Sequence, residues 1–241
     1  MSSAPFPFYN LFIGIGLIIG VLTLERDFRR RCGYKKFPSF LITLTFSFLF
    51  GWFFGHFADY IQRGCLHFNQ PLSEHHLYGY TFYGGFIGGA LFMIIALGIQ
   101  RFNISLCADI IAPIIPLVHG FGRIGCFLAG CCYGKIVTIG TLTFRFPTQI
   151  TSAVFLLTLF LFLHNRKYRI NRIYVYLWVY SVGRFIIEIF RGDPRGHLFI
   201  TSLSPAQELS IYVLMFSLVV FFLKRLKVSD KERFLRNNLT N

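Results

Sequence analysis

Three stretches of this chain combine residues that can do chemistry with surroundings that make them costly to keep. The first runs His119-Gly-Phe-Gly-Arg123-Ile-Gly-Cys126-Phe-Leu-Ala-Gly-Cys131-Cys132-Tyr-Gly134, with an arginine and three thiols among glycines at 120, 122, 125, 130 and 134. An arginine near the centre of an apolar segment costs on the order of 3 kcal/mol or more, so it calls for a partner or a ligand. The glycines permit the close, irregular backbone that such a site needs. The second runs Tyr180-Ser-Val-Gly-Arg184-Phe-Ile-Ile-Glu188-Ile-Phe-Arg191. Tyr180, Arg184, Glu188 and Arg191 recur at i, i+4, i+8 and i+11, which makes one polar stripe on one helix face. The third, Phe82-Tyr83-Gly84-Gly85-Phe-Ile-Gly-Gly89, opens an apolar helix with paired glycines that let another helix or a lipid come close. Helix packing is its plainer reading.

Two guanidinium forks in an apolar setting suit a phospholipid phosphate better than a soluble ligand. The bland alternative is that Arg184 and Glu188 neutralise each other while Arg123 snorkels to the interface. His119 lies one helical turn before Arg123, where it is either a base or a hydrogen-bonded structural histidine. Cys131 or Cys132 could act as a nucleophile, forming a covalent lipid intermediate, if the arginines lower its pKa. His119, Cys126, Cys131 and Cys132 are also metal-ligand types within sixteen positions. Adjacent cysteines seldom both reach one metal, however, and no Cys-x-x-Cys is present, so small thiols filling a tight turn is the plainer reading. No metal ion and no cofactor is called for.

The elements that must position these residues follow from composition. Of the 241 residues, 54% are hydrophobic and 14% charged, too little polar surface for a water-soluble globule. Apolar blocks run roughly Phe8–Leu24, Phe40–Phe57, Phe82–Ile99, Leu106–Phe127, Ile150–Leu163, Ile173–Phe190 and Pro205–Leu223. Most approach the ~20 residues that span a bilayer. The expectation is an all-α integral membrane protein of about seven transmembrane helices, forming one membrane domain over 1–241. With the N-terminus outside and the C-terminus cytoplasmic, seventeen of the 24 Lys and Arg residues fall in cytoplasmic segments and five in outer loops. That asymmetry accounts for the net charge of +14 without nucleic acid. The basic tail Lys224–Arg236 reads as a membrane-surface anchor.

The first block has no basic n-region before it and no small-residue cleavage site after it, so it reads as a retained helix rather than a signal peptide. The six cysteines are scattered and do not form a disulfide framework. An outer arm is expected at about 58–81, carrying Asp59, Arg63, His67, Glu74, His75 and His76, and a second outer loop at about 134–148. Ser204-Pro205-Ala206-Gln207 has the form of a capping box opening the last helix, and it leaves Glu208 as an ionisable group inside an apolar segment.

In this topology the third helix starts outside while the fourth and sixth end outside, so Tyr83, Arg123 and Arg184 should lie toward the outer leaflet. At these residues the chain resembles the prolipoprotein diacylglyceryl transferase family, bacterial seven-helix membrane enzymes that move diacylglycerol from phosphatidylglycerol to a lipobox cysteine. The resemblance rests on the Phe-Tyr-Gly-Gly-Phe-Ile-Gly of the third helix, Gly-Arg-Ile-Gly-x-Phe at 122–127 closing with Gly134, the Tyr180 to Arg191 stripe, and Ser204-x-x-Gln207-x-x-Ser210. It implies that Arg123 and Arg184 bind the donor phosphate and stabilise charge as the C–O bond breaks. It further implies that Glu188 orients Arg184, that Tyr180 bonds the lipid head, and that Gly84, Gly85, Gln207 and Arg191 line the substrate. The family has histidine where this chain has Tyr83, asparagine at Cys126 and glutamate at Cys131. A tyrosine with a pKa of ~10 is a poor base, which leaves His119 to take over as base, or Cys131 or Cys132 to act instead as a nucleophile.

The resulting expectation is a transferase in the bacterial cytoplasmic (inner) membrane, with phosphatidylglycerol as donor and a lipoprotein thiol, or another protein or small molecule, as acceptor. The alternatives are a non-catalytic phospholipid-binding or lipid-transport protein, and a thiol- or metal-dependent membrane redox protein.

Overall fold

The structure is a computed structural model, and it describes residues 8–66, 82–165, 171–192, 200 and 202–239. The described residues are overwhelmingly helical: α1 (Phe8–Cys32), a short 3-10 turn (Tyr34–Lys36), α2 (Phe37–Leu66), α3 (Phe82–Ile99), α4 (Ile104–Ile111), α5 (Ile114–Leu128), α6 (Thr148–Asn165), α7 (Arg172–Ile189) and α8 (Pro205–Leu239). Each apolar block read from the sequence therefore lies largely in helix.

Two local features depart from that expectation. Leu106–Phe127 is two helices rather than one, because Pro113 lacks the N–H that would continue α4 and instead takes the N-cap position of α5. The outer loop at 134–148 holds an antiparallel hairpin, β1 (Ile136–Ile139) with β2 (Leu142–Arg145), in register Ile136 with Arg145 and Ile139 with Leu142. Its β-branched residues favour the extended backbone, and Gly140 at φ +62° turns the chain. Of the expected arm, residues 58–66 continue α2, while 67–81, with His67, Glu74, His75 and His76, lie outside the described residues.

Four helical stretches among the described residues are long and apolar enough to cross a membrane: Tyr34–Ile61, Ile104–Leu128, Thr148–Asn165 and Pro205–Leu226. α3 contributes a shorter apolar stretch, Gly84–Ile99. Large apolar side chains point outward along them, Phe48 at 65%, Trp52 at 57% and Phe216 at 71% exposure. Patches of this extent are untenable in water and natural against lipid tails. The chain is a membrane protein.

The fold divides into two compact units, residues 25–107 and a second made of 1–24 with 108–241. In the first, α2 and α3 pack along a seam of small residues. A Cβ built on Gly51 would come within 2.9 Å of the Gly85 carbonyl oxygen, one on Gly89 within 2.9 Å of that of Ser47, and one on Gly84 within 2.8 Å of that of Phe54. Lipid supplies no hydrophobic drive between helices, so close van der Waals contact across bare backbones is what holds this pair. Phe28 stacks on Phe40 at 4.6 Å, with Phe37 and Phe102 around it. Gln100 ties the end of α3 to α2, accepting from Ser39 and donating to Thr43 at 2.8 Å.

The second unit is built on Ala112, Leu159, Leu163 and Tyr176, with Ile115, Phe155, Ile173 and Tyr180 packed against them. Asp109 accepts from the backbone N–H of Arg172 and so caps the first turn of α7 from a neighbouring segment.

Candidate active site

Arg123 projects from α5, where its Nε donates to Nε2 of His119 at 3.2 Å, one turn back on the same helix. That bond uses the histidine's acceptor lone pair, so the ring holds the guanidinium in place. The His119 ring lies 5.9 Å from that of Tyr180, and within electrostatic reach of both Arg123 and Arg184. Tyr180 in turn stacks on Tyr176 at 5.4 Å. Two arginines from two helices are thus gathered around one histidine and one tyrosine in the second unit.

Arg184 pairs with Glu188 one turn along α7, Nη1 to Oε2 at 2.6 Å, with the two side chains 12% and 2% exposed. Arg191 approaches the same oxygen, Nε at 3.9 Å. The other carboxylate oxygen of Glu188 accepts from the Ser204 hydroxyl at 3.2 Å. Ser204 is itself the N-cap of α8: its Oγ accepts from Gln207 N at 3.3 Å, and Gln207 Oε1 accepts from Ser204 N at 3.0 Å. The capping box read from the sequence is therefore present, and the side-chain carbonyl of Gln207 is engaged in it. Glu208, fully buried, accepts from Ile200 N at 3.2 Å and from the Tyr212 hydroxyl at 2.6 Å.

The three thiols come together through backbone geometry. α5 ends at a glycine-type C-cap, with Gly130 at φ +69°, its N–H on the Phe127 carbonyl at 3.1 Å and the Cys131 N–H on the Cys126 carbonyl at 3.2 Å. This pairing sets the residue after the glycine against the residue three positions inside the helix end, here Cys131 against Cys126. Cys132 follows at φ +63°, a left-handed conformation that a side chain other than glycine adopts at a cost. The turn is pinned by Thr148 Oγ1 donating to the Cys132 carbonyl at 2.8 Å and Gln149 Nε2 to that of Cys131 at 2.7 Å. All three sulfurs lie within 4.8 Å of one another, Cys126 buried, Cys132 half-buried and Cys131 exposed. His119 does not belong to this group of ligand types. Hydrogen bonds from Cys126 and Arg191 pull the Cys132 thiol well below the ordinary thiol range, against opposing burial.

Arg191 reaches these thiols because the end of α7 is stitched to the segment after α5. Lys135 N donates to the Phe190 carbonyl at 2.8 Å, Gly192 N to that of Tyr133 at 3.2 Å, and Gly134 bridges Arg191. Gly134 sits between the carbonyls of Phe146 and Phe190, and a Cβ there would stand 2.9 Å from the second and closer still to the first. No side chain fits.

A family model described as prolipoprotein diacylglyceryl transferase matches residues 2–223. The chain belongs to this family. It is similar to the phosphatidylglycerol–prolipoprotein diacylglyceryl transferase of Clostridium tetani (strain Massachusetts / E88), 31% identical over 237 residues that cover 91% of this chain and 93% of the relative. A relative from Clostridium perfringens (strain 13 / Type A), named phosphatidylglycerol–prolipoprotein diacylglyceryl transferase 2, is 33% identical over 242 residues, covering 91% of each. The enzyme of that type from Staphylococcus aureus (strain Newman) is 25% identical over 242 residues, covering 91% of this chain and 85% of the relative.

Of the site residues read from the sequence, the second unit brings together His119, Arg123, Tyr180, Arg184, Glu188 and Arg191, with Cys131 and Gln207 at its margins. Gly84 and Gly85 belong to the other unit, where they form the α2–α3 seam. Tyr83 is the second residue of α3, and its side chain lies outside the described residues. Sequence reasoning missed two contributors. Ser204 was read as a cap and as part of a family motif, but not as the partner that holds Glu188. Asp109 was not singled out at all, and an acidic residue in an apolar helix was the signal that marked it.

Proposed function

We propose that this chain is a phosphatidylglycerol–prolipoprotein diacylglyceryl transferase of the bacterial cytoplasmic membrane, moving the diacylglyceryl group to a cysteine thiol of the acceptor and releasing glycerol phosphate. The observation that carries this reading is the convergence of Arg123 and Arg184 around His119 and Tyr180, in a unit whose other helix faces are apolar. Membership in the family, matched over residues 2–223, supports it. Two guanidinium groups at that point meet a phosphodiester with planar donor forks, and both strengthen their hold as negative charge builds on the leaving phosphate.

Each neighbour then has a task. His119 keeps Arg123 in one rotamer through its Nε2 acceptor. Glu188, fixed by Ser204, holds Arg184 in place and balances its positive charge until the phosphate arrives. Tyr180 offers a hydroxyl beside both arginines for the lipid head. Arg191 serves the thiol turn as well as Glu188. The reaction runs in the outer leaflet, in a single membrane domain of seven spans with the N-terminus outside. Support for that topology comes from the basic residues concentrated at the C-terminal end of α1 and the turn after it, between α6 and α7, and in the C-terminal half of α8.

The test is reconstitution of the full chain with labelled phosphatidylglycerol and a lipobox peptide, following glycerol phosphate and the lipidated peptide by mass spectrometry. Release of both that fails in Arg123→Ala is the expected result. Lipid bound without release would assign the arginine cradle to a binding protein instead.

A further inference from the structure

The transfer needs its acceptor as a thiolate. We propose that Cys126, Cys131 and Cys132 hold one thiophilic divalent cation, Zn²⁺, whose open fourth position binds the acceptor cysteine and removes its proton. The proposal rests on the transferase reading for the second of its two parts.

Geometry carries the first part. Three sulfurs lie within 4.8 Å of one another, so a metal at the centre of even the widest such triangle stands about 2.8 Å from each, against a Zn–S bond of ~2.3 Å. Each sulfur needs to move inward by only about half an ångström, a small side-chain rotation. The usual obstacle to two adjacent cysteines sharing one metal is that their side chains diverge. Here Cys132 at φ +63° removes it, a backbone cost that the packing of small thiols alone does not explain. The glycine C-cap brings Cys131 onto Cys126, and Thr148 and Gln149 anchor the turn by its carbonyls, so metal binding displaces only thiol hydrogen bonds such as that from Cys131 Sγ to the Cys126 carbonyl at 3.7 Å. The turn is preorganised by bonds that metal binding does not disturb.

Charge and access carry the second. Three thiolates and a divalent cation make a complex of net charge −1, and the pairing of Gly134 with Arg191 brings a guanidinium group to this turn to balance it. Cys131 is exposed, so the cluster opens to one side, as a catalytic zinc site with three protein ligands requires. An acceptor thiol entering that position loses its proton to water on coordination. Its sulfur then attacks the glyceryl carbon bonded to phosphate: the C–S bond forms, the C–O bond breaks, and the electron pair leaves on glycerol phosphate held by Arg123 and Arg184.

The test uses the full chain, purified in detergent under reductant with its thiols counted. Added Co²⁺ should bind at about one equivalent and give an intense sulfur-to-metal charge-transfer band, displaceable by Zn²⁺. Cys131→Ser, an exposed position with little bearing on folding, should weaken binding at least ~tenfold. A cysteine-containing lipobox peptide should shift the Co²⁺ spectrum, whereas its serine counterpart should not. No charge-transfer band with all thiols reduced, a band unchanged by Cys131→Ser, or identical spectra with both peptides would each overturn the proposal. A peptide-responsive metal in a protein that releases no glycerol phosphate would instead refute the transferase reading, so the two failures are told apart.

Discussion

Glu188 Oε2 lies 2.6 Å from Nη1 of Arg184, one turn apart on α7 and almost wholly out of contact with solvent. Removing one member of such a pair leaves an uncompensated buried charge, which costs about 3–5 kcal/mol, whereas replacing both with apolar side chains of similar size is often neutral. Arg184→Met and Glu188→Leu should therefore each lower the thermal midpoint in detergent, and the double variant should recover most of that loss. The double variant should nevertheless show no transfer. Activity in a stable double variant would reduce the pair to a structural one.

Arg123 is the sharper probe of chemistry, because its side chain is only partly buried and its substitution should leave folding intact. Arg123→Ala should reduce glycerol phosphate release by roughly 10²–10³-fold, the range for losing one donor to a developing oxyanion. Arg123→Lys should recover little of it, since an ammonium lacks the planar fork. Equal loss of lipid binding and turnover would indicate a role in ground-state binding alone.

His119 separates positioning from base catalysis. Its Nε2 accepts the Nε–H of Arg123 at 3.2 Å, a contact that the side-chain carbonyl of glutamine can also make. His119→Gln should stay within about tenfold of the parent rate while His119→Ala falls further. The rate-versus-pH profile of the glutamine variant should keep its shape. Loss of an ionisation from that profile would identify His119 as the base.

Gly134→Ala should destabilise by about 1–3 kcal/mol, because the new methyl meets the backbone carbonyls of Phe146 and Phe190, which cannot swing aside as side chains do. Arg191 should shift with it, and activity should fall beyond the stability loss. Gly98→Ala, a helix position with nothing within 4 Å, is the matched control and should be neutral or slightly stabilising.

Ser204→Ala removes both the cap of α8 and a hydrogen bond to Glu188. A cap alone is worth ~1 kcal/mol. Ser204→Asp would restore the cap but set a second carboxylate beside Glu188, so it should recover helix stability without recovering activity. Thermal unfolding and turnover measured on the same preparations would show the split.

The one-dimensional pattern determined a good deal of this. Apolar blocks of bilayer length dictate helices wherever backbone groups have no water to bond, which is why the edges of α3 and the start of α8 coincide with the blocks read from composition. The i, i+4 spacing was enough to pair Arg184 with Glu188, because both lie on one helix and helix geometry is local. Gly130 likewise marks a local event, the C-cap that joins Cys131 to Cys126, and it was present in the sequence as a readable signal. What no spacing could supply were the contacts between segments distant in sequence: Ser204 on Glu188, Asp109 on the first turn of α7, Gly134 paired with Arg191, and Arg191 brought to Cys132. Those depend on how helices and their connecting turns pack in three dimensions, and only the tertiary structure decided that the arginine stripe and the cysteine turn are neighbours.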